Sequence, residues 1–278
     1  MPELPEVETI VRDIQPHLVG STLRNPQLFK ADVLRYVSRK RFLGAVSNAP
    51  VTEVMRRAKH IVIRLESGAR LLIQLRMTGN LLLIGQRKAD ALDYVVFRAA
   101  AGARRSLVYR DVRRLGTITL LNEADWRAYT ERVGPEPLAD DFTPDVLGAA
   151  LASTKQAVKK AIMDQTRVAG VGNIYANEAL FLARIDPSRA SNRLSETQVG
   201  RLHGEIRHVL QRAIDRGGTT FRDYRTGTGE PGAYQHVLRV YGRNGEPCFE
   251  CGTRLHTTHA IDGRATTICW RCQGITPS

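Results

Sequence analysis

Apolar residues near the start of the chain recur at Val7, Ile10, Val11, Ile14 and Leu18, a helical spacing that predicts an amphipathic helix opened by a carboxylate N-cap. Residues 22–120 lose that period. Short alternating or apolar runs at 51–55, 60–65, 70–75, 80–84, 94–99, 106–109 and 117–121, parted by Gly, Asn and Asp turns, predict a β-sandwich or barrel. Both periods stop at 133–143, where Pro135, Pro137, an acidic cluster and the following Pro144 read as a linker. Helical spacing resumes at 143–151, 155–163, 174–182 and 195–216. The last segment carries the fullest signal: Leu194 as a staple, Ser195 and Gln198 as a capping box, a stripe of Val199, Leu202, Ile206, Val209 and Ala213, and Gly217-Gly218 as the stop. The expected architecture is α+β in two domains. An N-terminal β-sandwich domain with a flanking N-terminal helix spans 1–132, a linker 133–143, a helical domain 144–235, and a cysteine-bearing hairpin 236–278.

All four cysteines lie in that hairpin as Cys248-x2-Cys251-x17-Cys269-x2-Cys272. Two such knuckles supply four thiolates for one tetrahedral zinc, and a closed four-thiolate shell leaves no position for a reactive water, so the expected metal is structural. Two disulfides are the alternative. They suit an oxidising compartment, whereas a chain without a secretory leader reads as cytoplasmic, where thiols stay reduced.

Charge narrows the partner. Forty-one Lys and Arg against 28 Asp and Glu give a net +13, and the pI is about 10.1. Such an excess favours polyanions, either nucleic acid or an anionic membrane surface. No apolar run approaches the ~20 residues of a membrane span, which points to nucleic acid and away from a membrane.

The opening Met1-Pro2-Glu3-Leu4-Pro5-Glu6 carries candidate chemistry. Removal of Met1 would leave a secondary amine on Pro2, and an α-amino group of pKa near ~8 keeps a usable unprotonated fraction at neutral pH for attack on an aldehyde-like carbon. Glu3 is placed to shuttle the proton. The plainer reading is an extended start and an N-cap. A second candidate is Val168-Ala-Gly170-Val-Gly172-Asn173-Ile-Tyr175, a glycine turn feeding a helix N-terminus, where free N–H groups favour an anion. Lys155, Lys159 and Lys160 supply basic surroundings for it.

Taken together these segments resemble the formamidopyrimidine-DNA glycosylase family across essentially the whole chain. The resemblance rests on the opening through Thr9, Arg57-Ala-Lys59, Arg113-Arg-Leu-Gly116, Gly134-Pro-Glu-Pro-Leu138, Gly170-Val-Gly-Asn-Ile-Tyr175, Gly217-Gly-Thr-Thr220, Val240-Tyr-Gly-Arg243 and Gly263-Arg-Ala-Thr266. It implies a helical domain of helix-two-turns-helix type, a zinc-finger hairpin, and base-excision repair of oxidised purines such as 8-oxoguanine and formamidopyrimidines. The partner implied is duplex DNA containing an oxidised base or an abasic site, met by a monomer in the bacterial cytoplasm, at the nucleoid.

The resemblance also implies roles. Pro2 would attack C1′ of a flipped nucleotide to form a Schiff base, Glu3 would protonate the sugar ring oxygen, and β,δ-elimination would then cleave the strand. Glu6 would orient the N-terminus; an ordinary first-turn acid is its plain alternative. Lys59, Asn173 and Arg264 would grip phosphates, against the plain alternatives of a solvated strand-edge lysine and a hairpin-turn arginine. Met77, Arg113 and Leu115 would fill the hole left in the duplex. Leu115 departs from the family's Phe there, and Gln74 with Arg76 departs from its His and Gly, leaving Gln74 as a neutral phosphate donor. Thr219, Thr220 and Arg222 would begin a lesion-covering loop whose Gly-rich part, 226–232, is suited to closing over a base.

Two alternatives remain open on sequence. One is an endonuclease VIII-like glycosylase for oxidised pyrimidines, disfavoured by leucine at position 4. The other is a non-catalytic damaged-DNA sensor, motivated by Gln74, Arg76 and Leu115 and opposed by the retained Pro2, Glu3, Glu6 and Lys59.

Overall fold

A computed structural model describes residues 1–90, 92–102 and 104–275 of the chain. It divides into two compact units, Met1–Glu131 with Ala213–Gln235, and Arg132–Arg212 with His236–Ser278.

The first unit opens with α1 (Leu4–Leu18), whose Glu3 N-cap and Glu6 form a reciprocal capping box and whose Leu4, Val7, Ile10, Ile14 and Leu18 are buried. There follow β1 (Thr22–Leu28), β2 (Leu34–Arg35), α2 (Arg39–Val46), β3 (Ala49–Arg57), β4 (His60–Leu65), β5 (Arg70–Gln74), β6 (Gly79–Gly85), α3 (Gln86–Asp90), β7 (Val95–Ala101), β8 (Arg105–Asp111), β9 (Thr117–Leu121) and α4 (Glu123–Arg132). Among the described residues β1 to β9 run in the order β2-β9-β5-β4-β3-β1-β7-β8-β6. Thr22↔Pro50 and Leu23↔Ala49 link the two halves through β1 and β3, a short seam at which the sheet folds over. Alternate residues from both halves, Ile61, Ile63, Leu71 and Ile73 on one side, Leu81, Leu83, Phe97, Leu107 and Tyr109 on the other, close one core with α1. That is the expected sandwich. The opposite faces of β6 and β8 bury Leu82, Ile84 and Val108 with Ala89 of α3, which explains the unbroken apolar run 81–84.

Residues 213–235 belong with this unit although they follow the long helix of the helical part. Asn80 Oδ1 accepts from Arg225 N at 3.0 Å, Asp13 Oδ2 accepts from Gly227 N at 2.9 Å, and Leu83 N donates to Gly227 O at 2.9 Å. A side chain at Gly227 would place Cβ 2.7 Å from Ile14 Cγ2, so only glycine permits this approach to α1.

The second unit contains α5 (Pro144–Ala152), α6 (Val158–Met163), α7 (Asn173–Leu182), α8 (Glu196–Ile214) as far as Arg212, and the hairpin β10 (His256–Thr258) with β11 (Thr266–Ile268). Thr143 caps α5 by accepting from Val146 N, with Pro144 in the first turn. The Ser195–Gln198 box at α8 is reciprocal, each side chain accepting from the other residue's amide. The α7 helix is buried from Ile174 to Phe181, so it carries no one-sided stripe. Phe181, Val240 and Leu255 pack with Cys248 and Cys269, which anchors the cysteine hairpin to α7. Among the described residues no helix is long and apolar enough to cross a membrane.

Candidate active site and metal centre

Glu3 and Glu6 sit buried at the N-terminus of α1, behind an exposed Met1. Glu6 divides its carboxylate between two parts of the chain. Its Oε2 accepts from Glu3 N at 2.7 Å, and its Oε1 accepts from Thr219 N at 2.8 Å. The Tyr224 hydroxyl donates to the carbonyls of Glu6, at 3.2 Å, and Gly217, at 3.0 Å. Burial, with the nearby Glu6 charge second, pushes the Tyr224 phenol far above its ordinary pKa and keeps it a neutral donor. Gly218 has φ +80°, and a Cβ there would lie 3.1 Å from both Cγ and Oε1 of Glu6. Glu3, Glu6 and the Thr219 backbone therefore form one hydrogen-bonded cluster, next to the buried Pro2, in which Glu6 is more than a first-turn acid.

Lys59 occupies the tight β3–β4 turn, next to Ala58 at φ +51°. It is 7% exposed, so the picture of a solvated strand-edge lysine fails. The turn is held from outside by α4. Tyr129 Oη is hydrogen-bonded to His60 Nδ1 at 2.8 Å, the rings meet edge to face, and Arg57 donates to Thr130 O. Desolvation, followed by the charge of Arg76 and then that of Lys59, lowers the His60 pKa to about 4.

Met77 and Leu115 are half-exposed, and Arg113 lies on the outside of the same loop as Leu115. Buried Asp111 ties the two loops together. Its Oδ1 accepts from the Thr78 hydroxyl, and its Oδ2 accepts from Gly116 N at 2.8 Å and from the Tyr109 hydroxyl at 3.1 Å. Thr78 Oγ1 in turn accepts from Arg113 N at 3.3 Å. A Cβ on Gly116 would overlap the Tyr109 hydroxyl, which is why glycine closes the second loop. Gln74 ends β5 opposite Thr117, beside this junction and partly exposed. Arg222 and its neighbour Phe221 are exposed, Thr219 is buried, and Thr220 Oγ1 donates to Tyr224 O. Within 226–232, Thr226 N donates to Glu230 O and Gly229 N to Thr226 O, which folds the segment onto itself.

In the second unit Asn173 opens α7 after Gly172 as N-cap, and its Nδ2 donates to Ala265 O at 3.1 Å. Arg264, the residue before, is half-exposed, with Asp262 Oδ2 3.7 Å from its Nε. Asn173 and Arg264 thus meet at one hairpin segment. Lys155 and Lys160 are exposed, but Lys159 is 1% exposed and turned into the protein, a correction to its reading as part of a basic surface. Glu178 on α7 accepts from three successive amides, Arg239, Val240 and Tyr241, at 2.7–2.9 Å. Burial raises its pKa, against the pull of those three donors.

The four cysteine sulfurs lie within 4.8 Å of one another. Three of their separations, 3.5 Å (Cys251–Cys269), 3.5 Å (Cys251–Cys272) and 3.9 Å (Cys248–Cys272), fall near the roughly 3.8 Å edge of a tetrahedron with ~2.3 Å metal–sulfur bonds. They are far beyond a disulfide bond, so the paired-disulfide alternative fails. The donor set fits a closed, soft-ligand metal site.

Sequence reading missed the parts that act at a distance, Asp111 with Thr78 and His60 with Tyr129, and placed Lys159 on the surface rather than in the interior. A buried charge within a motif was the available signal only for Asp111, two residues before Arg113.

A basic two-unit α+β fold with a proline-led capped helix on its sandwich and a four-thiolate finger on its helical unit defines the class. Residues 1–118 match the formamidopyrimidine-DNA glycosylase N-terminal domain and residues 133–225 the formamidopyrimidine-DNA glycosylase H2TH domain. The formamidopyrimidine-DNA glycosylases of Geobacillus kaustophilus and Paracoccus denitrificans are 41% and 38% identical to the chain, each over 98% of it and 100% of their own length. The crystal structure of the Fpg protein of Thermus thermophilus superposes with a TM-score of 0.87 at 35% identity, covering 99% of this chain and 100% of that one. That of Lactococcus lactis Fpg with DNA containing an abasic site gives 0.89 at 31%, covering 98% and 99%. The chain belongs to the formamidopyrimidine-DNA glycosylase family.

Proposed function

We propose that this protein excises oxidised purines, 8-oxoguanine and formamidopyrimidines, from duplex DNA and cleaves the resulting abasic strand. Full-length family membership carries the reading. Relatives solved with DNA include Lactococcus lactis Fpg bound to DNA containing Fapy-dG and to DNA containing an abasic site. The Glu3–Glu6 cluster and the net +13 charge support it.

After Met1 is removed, the Pro2 nitrogen uses its lone pair to attack C1′ of a flipped nucleotide, and the base departs with the electrons of the glycosidic bond, protonated as it leaves. Glu3 gives a proton to the ring oxygen, the ring opens, and the iminium withdraws electrons so that loss of a C2′ proton expels the 3′ phosphate. A second elimination expels the 5′ phosphate. Glu6 holds the Glu3 amide and so fixes where the amine points. Lys59 in the first unit, and Asn173 and Arg264 in the second, bind phosphates; Met77, Arg113 and Leu115 enter the vacated stack, with Gln74 at its margin. Thr219, Thr220 and Arg222 flank the base. Cys248, Cys251, Cys269 and Cys272 hold one zinc, which stabilises the finger and takes no part in the reaction.

Borohydride added to a reaction on a duplex with 8-oxoguanine opposite cytosine should trap a covalent protein–DNA adduct, and Pro2→Gly should abolish the trap while zinc content and duplex binding persist. Trapping on thymine glycol alone would move the substrate to oxidised pyrimidines. No adduct on either, with tight binding retained, would make the protein a damage sensor.

A further inference from the structure

Lys159 is a cation placed where cations are seldom found. It lies on α6 at 1% exposure, among Val158, Ala161 and Ile162, which are buried with it. Removing an ammonium from water is unfavourable unless strong acceptors replace the water. Its Nζ donates to Ala265 O at 2.9 Å and to Thr266 Oγ1 at 2.7 Å, 106 and 107 residues along the chain. Thr266 Oγ1 passes the contact on by donating to Arg264 O at 3.1 Å. The same Ala265 carbonyl takes Asn173 Nδ2 at 3.1 Å and Asn177 Nδ2 at 3.4 Å, and Asn177 Oδ1 accepts from Thr267 N at 2.8 Å. One buried ammonium thus fixes the backbone on which Arg264 stands and the carbonyl against which Asn173 is set.

We infer that Lys159 is a positioning residue for the phosphate grip, acting through Ala265 and Thr266 to hold Arg264 and Asn173 in one arrangement before DNA arrives. The inference rests on the reading of Arg264 as a phosphate contact. Arg264 is half-exposed and its ion pair to Asp262 is long at 3.7 Å, so its own side chain does little to fix it. Order has to come from the backbone beneath. Pre-set donors bind phosphate without a further loss of conformational freedom. Lys159 never touches the DNA in this arrangement. Its exposed neighbours Lys155 and Lys160 are free to do so, which separates two lysine roles within one helix.

The test is the salt dependence of duplex binding by the zinc-loaded full chain, measured for Lys159→Met, Thr266→Val, Arg264→Ala and the Lys159→Met/Arg264→Ala pair. Each lost phosphate contact removes about 0.9 from the slope of log K against log salt. Arg264→Ala should lower the slope by about one such contact, Lys159→Met should lower it similarly with one zinc per chain retained, and the pair should fall no further than either. Thr266→Val keeps the charge and removes only the hydroxyl relay; it should follow Lys159→Met in direction, and it decides the matter if Lys159→Met does not fold. Wild-type slopes in Lys159→Met and Thr266→Val, beside a lowered slope in Arg264→Ala, would overturn the positioning role alone. A further drop in the pair would mean that Lys159 acts on DNA by its own charge, which also overturns it. An unchanged slope in Arg264→Ala would remove the phosphate contact on which the inference stands.

Discussion

The Glu6 carboxylate and the Thr219 amide, 213 residues apart, are joined by a 2.8 Å hydrogen bond. The other oxygen of Glu6 takes the Glu3 amide, so the end of α1 and the turn after α8 share one buried acid. Glu6→Gln replaces one acceptor by a donor facing an N–H. A hydrogen bond to a charged acceptor contributes ~1.5–3 kcal/mol, and the variant should lose about that much stability in urea unfolding. Misplacement near the reacting amine should also slow single-turnover excision roughly 100-fold, while duplex binding is kept. A wild-type excision rate would show that Glu6 is structural only.

Gly218 tests the same contact from the other side. Its φ of +80° and the 3.1 Å approach to Glu6 leave no room for a methyl group. Gly218→Ala should cost ~1–3 kcal/mol and lower excision in step with Glu6→Gln. Full activity would mean that the 217–219 turn shifts without consequence for the amine.

Much of the first unit is legible because its strands are short alternating or apolar runs set between turn residues: 60–65 and 117–121 have the bounds of β4 and β9. β1 was not, since Asn25 at φ +48° and Pro26 interrupt it and its pairing with β7 slips between Arg24 and Gln27. Nor was α4, which buries none of its residues and so shows no stripe. At the site the same division holds. Linear motifs pointed to Pro2, Glu3, Asn173 and the cysteines, but Asp111, Tyr129 and Lys159 work through contacts 33 to 107 residues distant, which no local pattern records.

Asp111 should prove a control point for the two loops that carry Met77 and Arg113. Asp111→Asn keeps the shape but sets an amide against the donors of Thr78, Gly116 and Tyr109. Breaking one partner of such a buried network costs about 3 kcal/mol. The variant should melt earlier and should lose discrimination between lesion-bearing and intact duplex, read by competition binding. Unaltered discrimination at equal stability would detach the loops from lesion search.

His60 predicts an acid limb in stability. The unfolded ring takes a proton near 6.5, whereas the folded ring resists until about 4. Between those values the unfolded chain binds more protons, so stability is full above pH 6.5 and falls as the pH drops toward 4. The shift corresponds to roughly 3 kcal/mol at most. His60→Gln retains an acceptor for Tyr129 and removes the titration; its Tm should fall less than wild type over that window. Parallel curves for the two proteins would place the acid sensitivity elsewhere.

The finger should depend on its metal because four thiols have little else to hold them. Cys248 and Cys269 are packed with Phe181, Val240 and Leu255, so the metal and a small apolar cluster stabilise the same hairpin, and the cluster alone is too small to hold it. Thiolates brought within 4.8 Å repel one another unless a cation sits between them. Metal binding of this kind supplies folding free energy directly. Chelation should therefore unfold the β10–β11 hairpin and release Ala265 and Thr266 from Lys159, freeing Arg264 and Asn173 together. Duplex affinity should drop by more than in Arg264→Ala alone, and restoring zinc should recover it. Because the capped α1 cluster lies in the other unit, the melting of the sandwich should stay near its holo value. Affinity equal to that of the holoprotein after complete metal removal would show that the hairpin holds its shape without zinc and that the phosphate grip is set by Lys159 and Asn177 unaided.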